Sequence, residues 1–198
     1  MVDALVSGAS AARLVGSSPI PSTKNTITMT PLVSIIMGST SDMKVVRSAA
    51  EFFDEMEIPF EILALSAHRT PEEVADFAKN ASGRGVKVII AAAGGAAHLP
   101  GVIAASTTLP VIGIPVRSSN SMDAWDSVLS ILQMPSGIPV ATVAVDASKN
   151  AAILALQILA LSDKSLNDKL VNFKEEMKKK IVKANEDLKS ETYKFRVN

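Results

Sequence analysis

Five short apolar runs, at residues 32–37, 60–65, 86–92, 111–114 and 140–145, recur along this chain with longer amphipathic or loop-bearing segments between them. A run of this length bounded by small and polar residues reads as a strand buried on both faces. Alternation of such runs with helix-length segments is the pattern of β-α-β units, whose strands lie parallel and whose crossovers are right-handed. Open sheets of this kind take their ligands in the crevice beyond the carboxyl ends of the strands. The loops that follow the runs are therefore where chemistry is sought.

The fold class this predicts is α/β: a three-layer doubly wound parallel sheet, flavodoxin-like in strand order 2-1-3-4-5, with a C-terminal helical extension. Between the first two strands, Val45, Val46, Ala49, Ala50, Phe52, Phe53 and Met56 recur at helical spacing and give one buried face. The next helix has a start signal, with Thr70 as N-cap, Pro71 at the first helical position and Glu73 completing a capping box. Gly83 and Gly85 close it. A helix over residues 150–161 is apolar on nearly every side, which requires burial on more than one surface. Leu166, Leu170, Phe173, Met177, Ile181, Ala184 and Leu188 then form one stripe on a lysine-rich helix. A small domain is too short to cover such a stripe, so the expected cover is a neighbouring subunit; the alternative is a charged helix lying along its own domain.

With 198 residues, 47% of them hydrophobic, the chain can bury one substantial core. Twenty basic residues against twenty acidic ones leave no footprint for nucleic acid. The absence of cysteine removes disulfides, thiolate metal sites and a cysteine nucleophile, and two histidines far apart lack the spacing of a zinc site. No apolar stretch approaches the roughly 20 residues of a membrane span, so a soluble, cytoplasmic protein with no membrane partner is expected. Residues 1–30 are rich in Ser, Ala and Thr with Asp3, Arg13 and Lys24 as their only charges. They lack the apolar core of a secretory signal. They read as a disordered, targeting or cloning-derived extension, with Met29 a candidate original start. The division expected is thus 1–30 as extension, 31–162 as catalytic domain and 163–198 as C-terminal helix.

Three loops carry candidate chemistry. Gly38-Ser39-Thr40-Ser41-Asp42 follows the first strand, and its small residues suit an anion at a helix start, with hydroxyls from Ser39 and Ser41 and with Asp42 as an acceptor for ribose. Ordinary N-capping by Ser41 or Asp42 is the other reading. In Ser66-Ala67-His68-Arg69-Thr70-Pro71, Arg69 can hold a phosphate through a planar two-point contact and His68 can give and take a proton near neutrality. A structural histidine at a strand end is the alternative. Gly94-Gly95-Ala96-Ala97-His98-Leu99-Pro100-Gly101 offers backbone amides, then one imidazole in an apolar wall that can confine a small neutral species. His98 can equally serve only to bond a neighbouring loop. Gln133-Met134-Pro135-Ser136-Gly137 is a candidate fourth wall. No Walker lysine, GxGxxG fingerprint, serine-histidine-acid set or carboxylate cluster is present. Cofactor-free, metal-free proton transfer on a phosphorylated substrate remains.

These motifs, with Pro110-Val111-Ile112-Gly113-Ile114-Pro115-Val116, resemble the class I N5-carboxyaminoimidazole ribonucleotide mutases, the catalytic subunit family of phosphoribosylaminoimidazole carboxylase, from about residue 32 to residue 161. The resemblance implies a homo-octamer exchanging helices between neighbours and a small ribonucleotide substrate in purine biosynthesis. It also implies supply of that substrate by N5-carboxyaminoimidazole ribonucleotide synthetase. It implies that Ser39, Asp42 and Arg69 bind the ribose phosphate portion, helped by Ser41 and by Gly94, Gly95, Ala96, His98 and Leu99. His68 is implied as the general acid and base. Class II carboxylases, which use free carbon dioxide, are the nearer alternative; they usually carry lysine where this chain has Arg69 and lack its Ala96-Ala97-His98. A noncatalytic nucleotide-phosphate binding module on the same sheet is the further one. Two stretches depart from the family pattern: 119–125, with Asn120, Met122, Asp123 and Trp125, and Asp146-Ala147-Ser148-Lys149. Both are expected to affect subunit contacts or loop closure without touching the motif residues.

Overall fold

The computed structural model describes residues 29–197; all but the last two residues of the expected 1–30 extension lie outside the described residues. Strands β1 (Val33–Met37), β2 (Phe60–Ala64), β3 (Val88–Gly94), β4 (Val111–Val116) and β5 (Ala141–Thr142) form one parallel sheet in the order β2-β1-β3-β4-β5. This is the flavodoxin-like order expected from the alternation. Helices α1 (Met43–Glu55), α5 (Ser148–Ala160) and the start of α6 (Lys164–Leu188) cover one face. Helices α2 (Pro71–Asn80), α3 (Leu99–Ala105) and α4 (Trp125–Leu132) cover the other. Alternate residues of β1 supply the two cores, with Val33, Ile35 and Met37 facing α1 and Ile36 facing α2 and α3.

Helix α1 buries Val46, Ala49, Phe52 and Phe53, the stripe its spacing requires. In α5, Ala151, Ala152, Ala155 and Leu156 are fully buried while Ile153, Leu154 and Ile158 pack at its sides. Contacts with the sheet, α1 and α6 account for its all-round apolarity.

Three expectations are corrected. Residues 140–145 give only a two-residue β5. Gly113 O accepts from Val143 N, so positions 113 and 115 of β4 face β5. Pro115 has no N–H to continue the ladder, and its carbonyl accepts from Asp146 N, so the edge strand ends early. The third strand lies two residues later than residues 86–92. Thr70 precedes α2, but its hydroxyl does not cap it: Oγ1 accepts from Ser66 N at 2.9 Å and donates to Ser66 O at 3.2 Å. Thr70 N also donates to Ser66 O, which leaves no partner for a capping-box Glu73. The threonine closes the turn that carries His68 and Arg69.

Helix α6 divides along its length. Leu166 and Leu170 are buried in the main core, and Phe173 meets Phe52 edge-on at 5.3 Å. Beyond Phe173 the stripe runs free, with Met177, Ile181 and Leu188 exposed. The first turns of the 163–198 segment therefore belong to the same core as residues 31–162.

Candidate functional site

The loops after β1, β2, β3 and β4 meet in a cleft of about 480 Å³ at the carboxyl edge of the sheet, within the usual size for a small ligand. Its walls include Ser39, Ser41, Asp42, His68, Arg69, Gly94, His98 and Leu99 of the expected residues. Gly95 and Ala96 do not line it: Gly95 is buried behind the wall and Ala96 is exposed. Nor does the 133–137 turn. Met134 instead lies over Gly101 of α3, and the fourth wall is Val116 to Asn120, the end of β4 and the four residues after it.

After β1 the chain makes a 3₁₀ turn, Thr40–Asp42, before α1. Ser39 Oγ accepts from Ser41 N at 3.3 Å and from Ser41 Oγ at 3.0 Å. Ser41 Oγ also lies 3.3 Å from Asp42 Oδ1. Asp42 makes no side-chain cap to α1, so capping by Ser41 or Asp42 is not what this turn does. Asp42 is nearly buried, and desolvation holds its carboxyl above the ordinary aspartate range. Such a group suits a ligand hydroxyl better than a lone anion.

Arg69 ties the second loop to the first, donating from Nη2 to Gly38 O at 2.7 Å and from Nε to Ser66 Oγ at 3.3 Å. Its Nη1 has no partner among the described residues, which leaves a fixed guanidinium edge in the cleft. Lys44 and Arg117 add cations to the same walls. Arg117 is drawn outward by Asp123 at 3.3 Å, an exposed pair.

The two histidines, thirty residues apart, meet here. His68 Nε2 lies 2.7 Å from His98 Nδ1, with the rings edge-to-face and 4.9 Å between centroids. One nitrogen must carry the proton and the other the lone pair, so two cationic rings are incompatible with the bond. The pair can hold one extra proton. His98 reaches its partner because the turn between β3 and α3 is tight: Gly95 has φ +60°, Ala97 has φ +44°, and Ala97 N donates to Gly94 O at 3.2 Å. Pro100 is tolerated in the first turn of α3, where its missing N–H costs nothing.

The 119–125 stretch reaches the cleft through Ser119 and Asn120, contrary to expectation, while the 146–149 stretch does not line it and only braces its wall. Ser118, Ser119 and Asn120 line it, and Asp146 Oδ1 accepts from Arg117 N at 3.1 Å. Asp146 also opposes the ionisation of Asp42 by its charge. The rule that pointed to the first three loops, a strand end followed by small polar residues, applies equally to Arg117-Ser118-Ser119-Asn120 after β4. Among the described residues no group of three or more His, Asp or Glu is placed to hold a metal ion, and no helix is long and apolar enough to cross a membrane.

Residues 32–180 match the family model described as AIR carboxylase. This chain belongs to the AIR carboxylase family. It is 56% identical over 151 residues to a Pyrococcus horikoshii protein named N5-carboxyaminoimidazole ribonucleotide mutase, covering 76% of this chain and 85% of that one. A Thermotoga maritima protein of the same name is 49% identical, with 85% and 98% covered. The crystal structure of Treponema denticola PurE superposes with a TM-score of 0.71 at 33% identity, covering 80% of this chain and 99% of that one. The sheet and all four loops of the cleft lie within the residues that match the AIR carboxylase family.

Proposed function

We infer that this chain interconverts N5-carboxyaminoimidazole ribonucleotide and 4-carboxy-5-aminoimidazole ribonucleotide in purine biosynthesis, an isomerisation needing neither metal nor organic cofactor. The observation that carries the reading is the His68–His98 pair, a one-proton store at 2.7 Å, set beside a polar cradle in one cleft. Arg69 and the Ser39–Asp42 turn bind the ribose phosphate end: Arg69 supplies donors for the phosphate, Asp42 an acceptor for a ribose hydroxyl, and Ser39 and Ser41 hydroxyls between them. Gly94, His98 and Leu99 close the far wall over the base.

Breaking the bond between N5 and the carbamate carbon releases carbon dioxide and leaves the electron pair on N5, which takes a proton from His68. C4 of the imidazole then attacks the held carbon dioxide, and His68 recovers a proton from C4. One proton leaves and one returns, which matches the capacity of the histidine pair. The apolar side of the wall, Leu99 and Ala97, retains the carbon dioxide between the two half-reactions.

The free stripe of α6 supports assembly of copies through that helix, in a homo-octamer, with the 31–162 unit as the catalytic domain. A cytoplasmic enzyme receiving an unstable carbamate directly from its synthetase fits the same chemistry.

Substrate carrying isotopic carbon in its carbamate tests the reading. Retention of the label in the C4-carboxylated product, with excess unlabelled bicarbonate present, is the expected result. Dilution of the label, or turnover only of aminoimidazole ribonucleotide with carbon dioxide, would make the chain a carboxylase of the class II kind. Binding without conversion would leave a binding module.

A further inference from the structure

β3 and β4 stay in register to their carboxyl ends, where Gly94 pairs with Val116. Beyond that pair the loops cross at close range. A methyl group on Gly94 would overlap Ser118 Oγ and stand 2.7 Å from Ser118 Cβ and 3.0 Å from Val116 O. One on Gly95 would stand 3.0 Å from Asn120 Nδ2. Gly95 is buried although Ala96 beside it is exposed, and the Asn120 amide is part of what covers it. Asn120 is itself held: Ser118 Oγ donates to its Oδ1 at 2.7 Å. Beneath both, the fully buried Ser127 of α4 donates to Val116 O at 3.1 Å and pins the strand end.

The turn under Asn120 is seated in the core by Ala97 and Leu99, and Asn120 covers it from the cleft side. Its internal bond, Ala97 N to Gly94 O, is long at 3.2 Å, and alanine at φ +44° resists its own conformation. We propose that Asn120, braced by Ser118, is a positioning residue that clamps the Gly94–Gly95 backbone and thereby fixes His98 against His68. Asn120 makes no hydrogen bond to either ring. It acts by removing the freedom that would let the turn relax and separate Nδ1 from Nε2. The proposal rests on the assignment of this cleft to the isomerisation, and it gives the divergent 119–125 stretch a task within the site.

The test combines kinetics with a spectrum that needs no turnover. Asn120→Ala is expected to lower kcat about tenfold with KM within about twofold, the pattern of lost orientation and not lost binding. Ser118→Ala is expected to lower kcat about threefold, and the double variant to be no worse than Asn120→Ala, because alanine keeps the Cβ beside Gly94 and loses only the bond to the amide. Asn120→Asp keeps the shape and the oxygen facing Ser118 and should recover most of kcat. With 15N-labelled histidine, the ring-nitrogen signals of His68 and His98 should move in Asn120→Ala toward those of separate imidazoles. Unchanged kcat with unchanged histidine signals overturns the proposal, as does a rise in KM alone, which would make Asn120 a direct ligand. If the wild-type chain fails to isomerise the substrate but the histidine signals still shift, the clamp stands and the functional assignment falls.

Discussion

The cleft and the outer half of α6 solve opposite problems. In the cleft, exposed polar groups are tied to one another by short bonds, Arg69 to Gly38, Ser39 to Ser41, His68 to His98, so that their geometry is set before any ligand arrives. Along α6 beyond Phe173 the apolar groups are the exposed ones, and among the described residues nothing buries Met177 or Ile181. That segment carries local pairs such as Lys179 with Glu176 and Lys189 with Glu186, which are exposed and individually weak. The difference separates two properties that a single chain supplies unequally: the proton-transfer pair is complete in one copy, whereas the apolar surface is not. Activity and assembly should therefore fail at different residues.

The largest effect is expected at the histidine pair. His68→Asn keeps a polar side chain of modest size but cannot hold a proton near neutrality, so kcat should fall about a thousandfold while substrate still binds. Direct binding by calorimetry alongside turnover checks this. A variant that loses both together would mean that His68 supports the cleft and does not do its chemistry.

Within α6 the comparison becomes a pair of substitutions about two turns apart. Phe173→Ala removes an edge-to-face partner of Phe52 on the main core and should cost about 2 kcal/mol, lowering Tm by about 5 °C. Ile181→Glu, at a site 73% exposed, should leave the intrinsic fold intact and instead lower the mass seen by light scattering. If Ile181→Glu changes neither mass nor Tm, the free stripe is a solvated face and α6 contributes only its first three turns.

Sheet order and the strand-end position of the site were legible because apolar runs and helical spacing are local signals, and right-handed crossovers leave few ways to arrange them. The meeting of His68 with His98 was not: each histidine was placed at a strand end, but which strand ends are neighbours depends on β1 lying between β2 and β3. Thr70 shows the limit of a motif. Its capping box is complete in sequence, yet the hydroxyl closes the 66–70 turn because Ser66 backbone groups are nearer. The short β5 follows from Pro115, a single residue on the neighbouring strand whose facing direction only the sheet reveals. Asn120 was visible as a departure from the family pattern, but its contact with Gly95 is a tertiary fact that no spacing encodes.

The smallest expected effect sits on the cleft side of the comparison, where pre-set geometry costs stability. Asp42 is nearly buried, and desolvation raises its pKa above the value of an unfolded aspartate. The protonated form is thus the one the fold prefers. Its contribution to stability is fully present below that unfolded value and is lost as pH rises through the raised folded value, leaving a net cost at pH 7. Asn at this position keeps the shape without the charge. Asp42→Asn should therefore raise Tm at pH 7 by about 2 °C. The gain over wild type should shrink as pH falls through the raised value and the wild-type carboxyl takes up its proton. The same variant should raise KM about tenfold, because an amide is a poorer acceptor for a ribose hydroxyl than a carboxylate. A lower Tm at pH 7 would mean that Asp42 holds the Ser39–Asp42 turn together, and the cleft would then be built around its charge instead of strained by it.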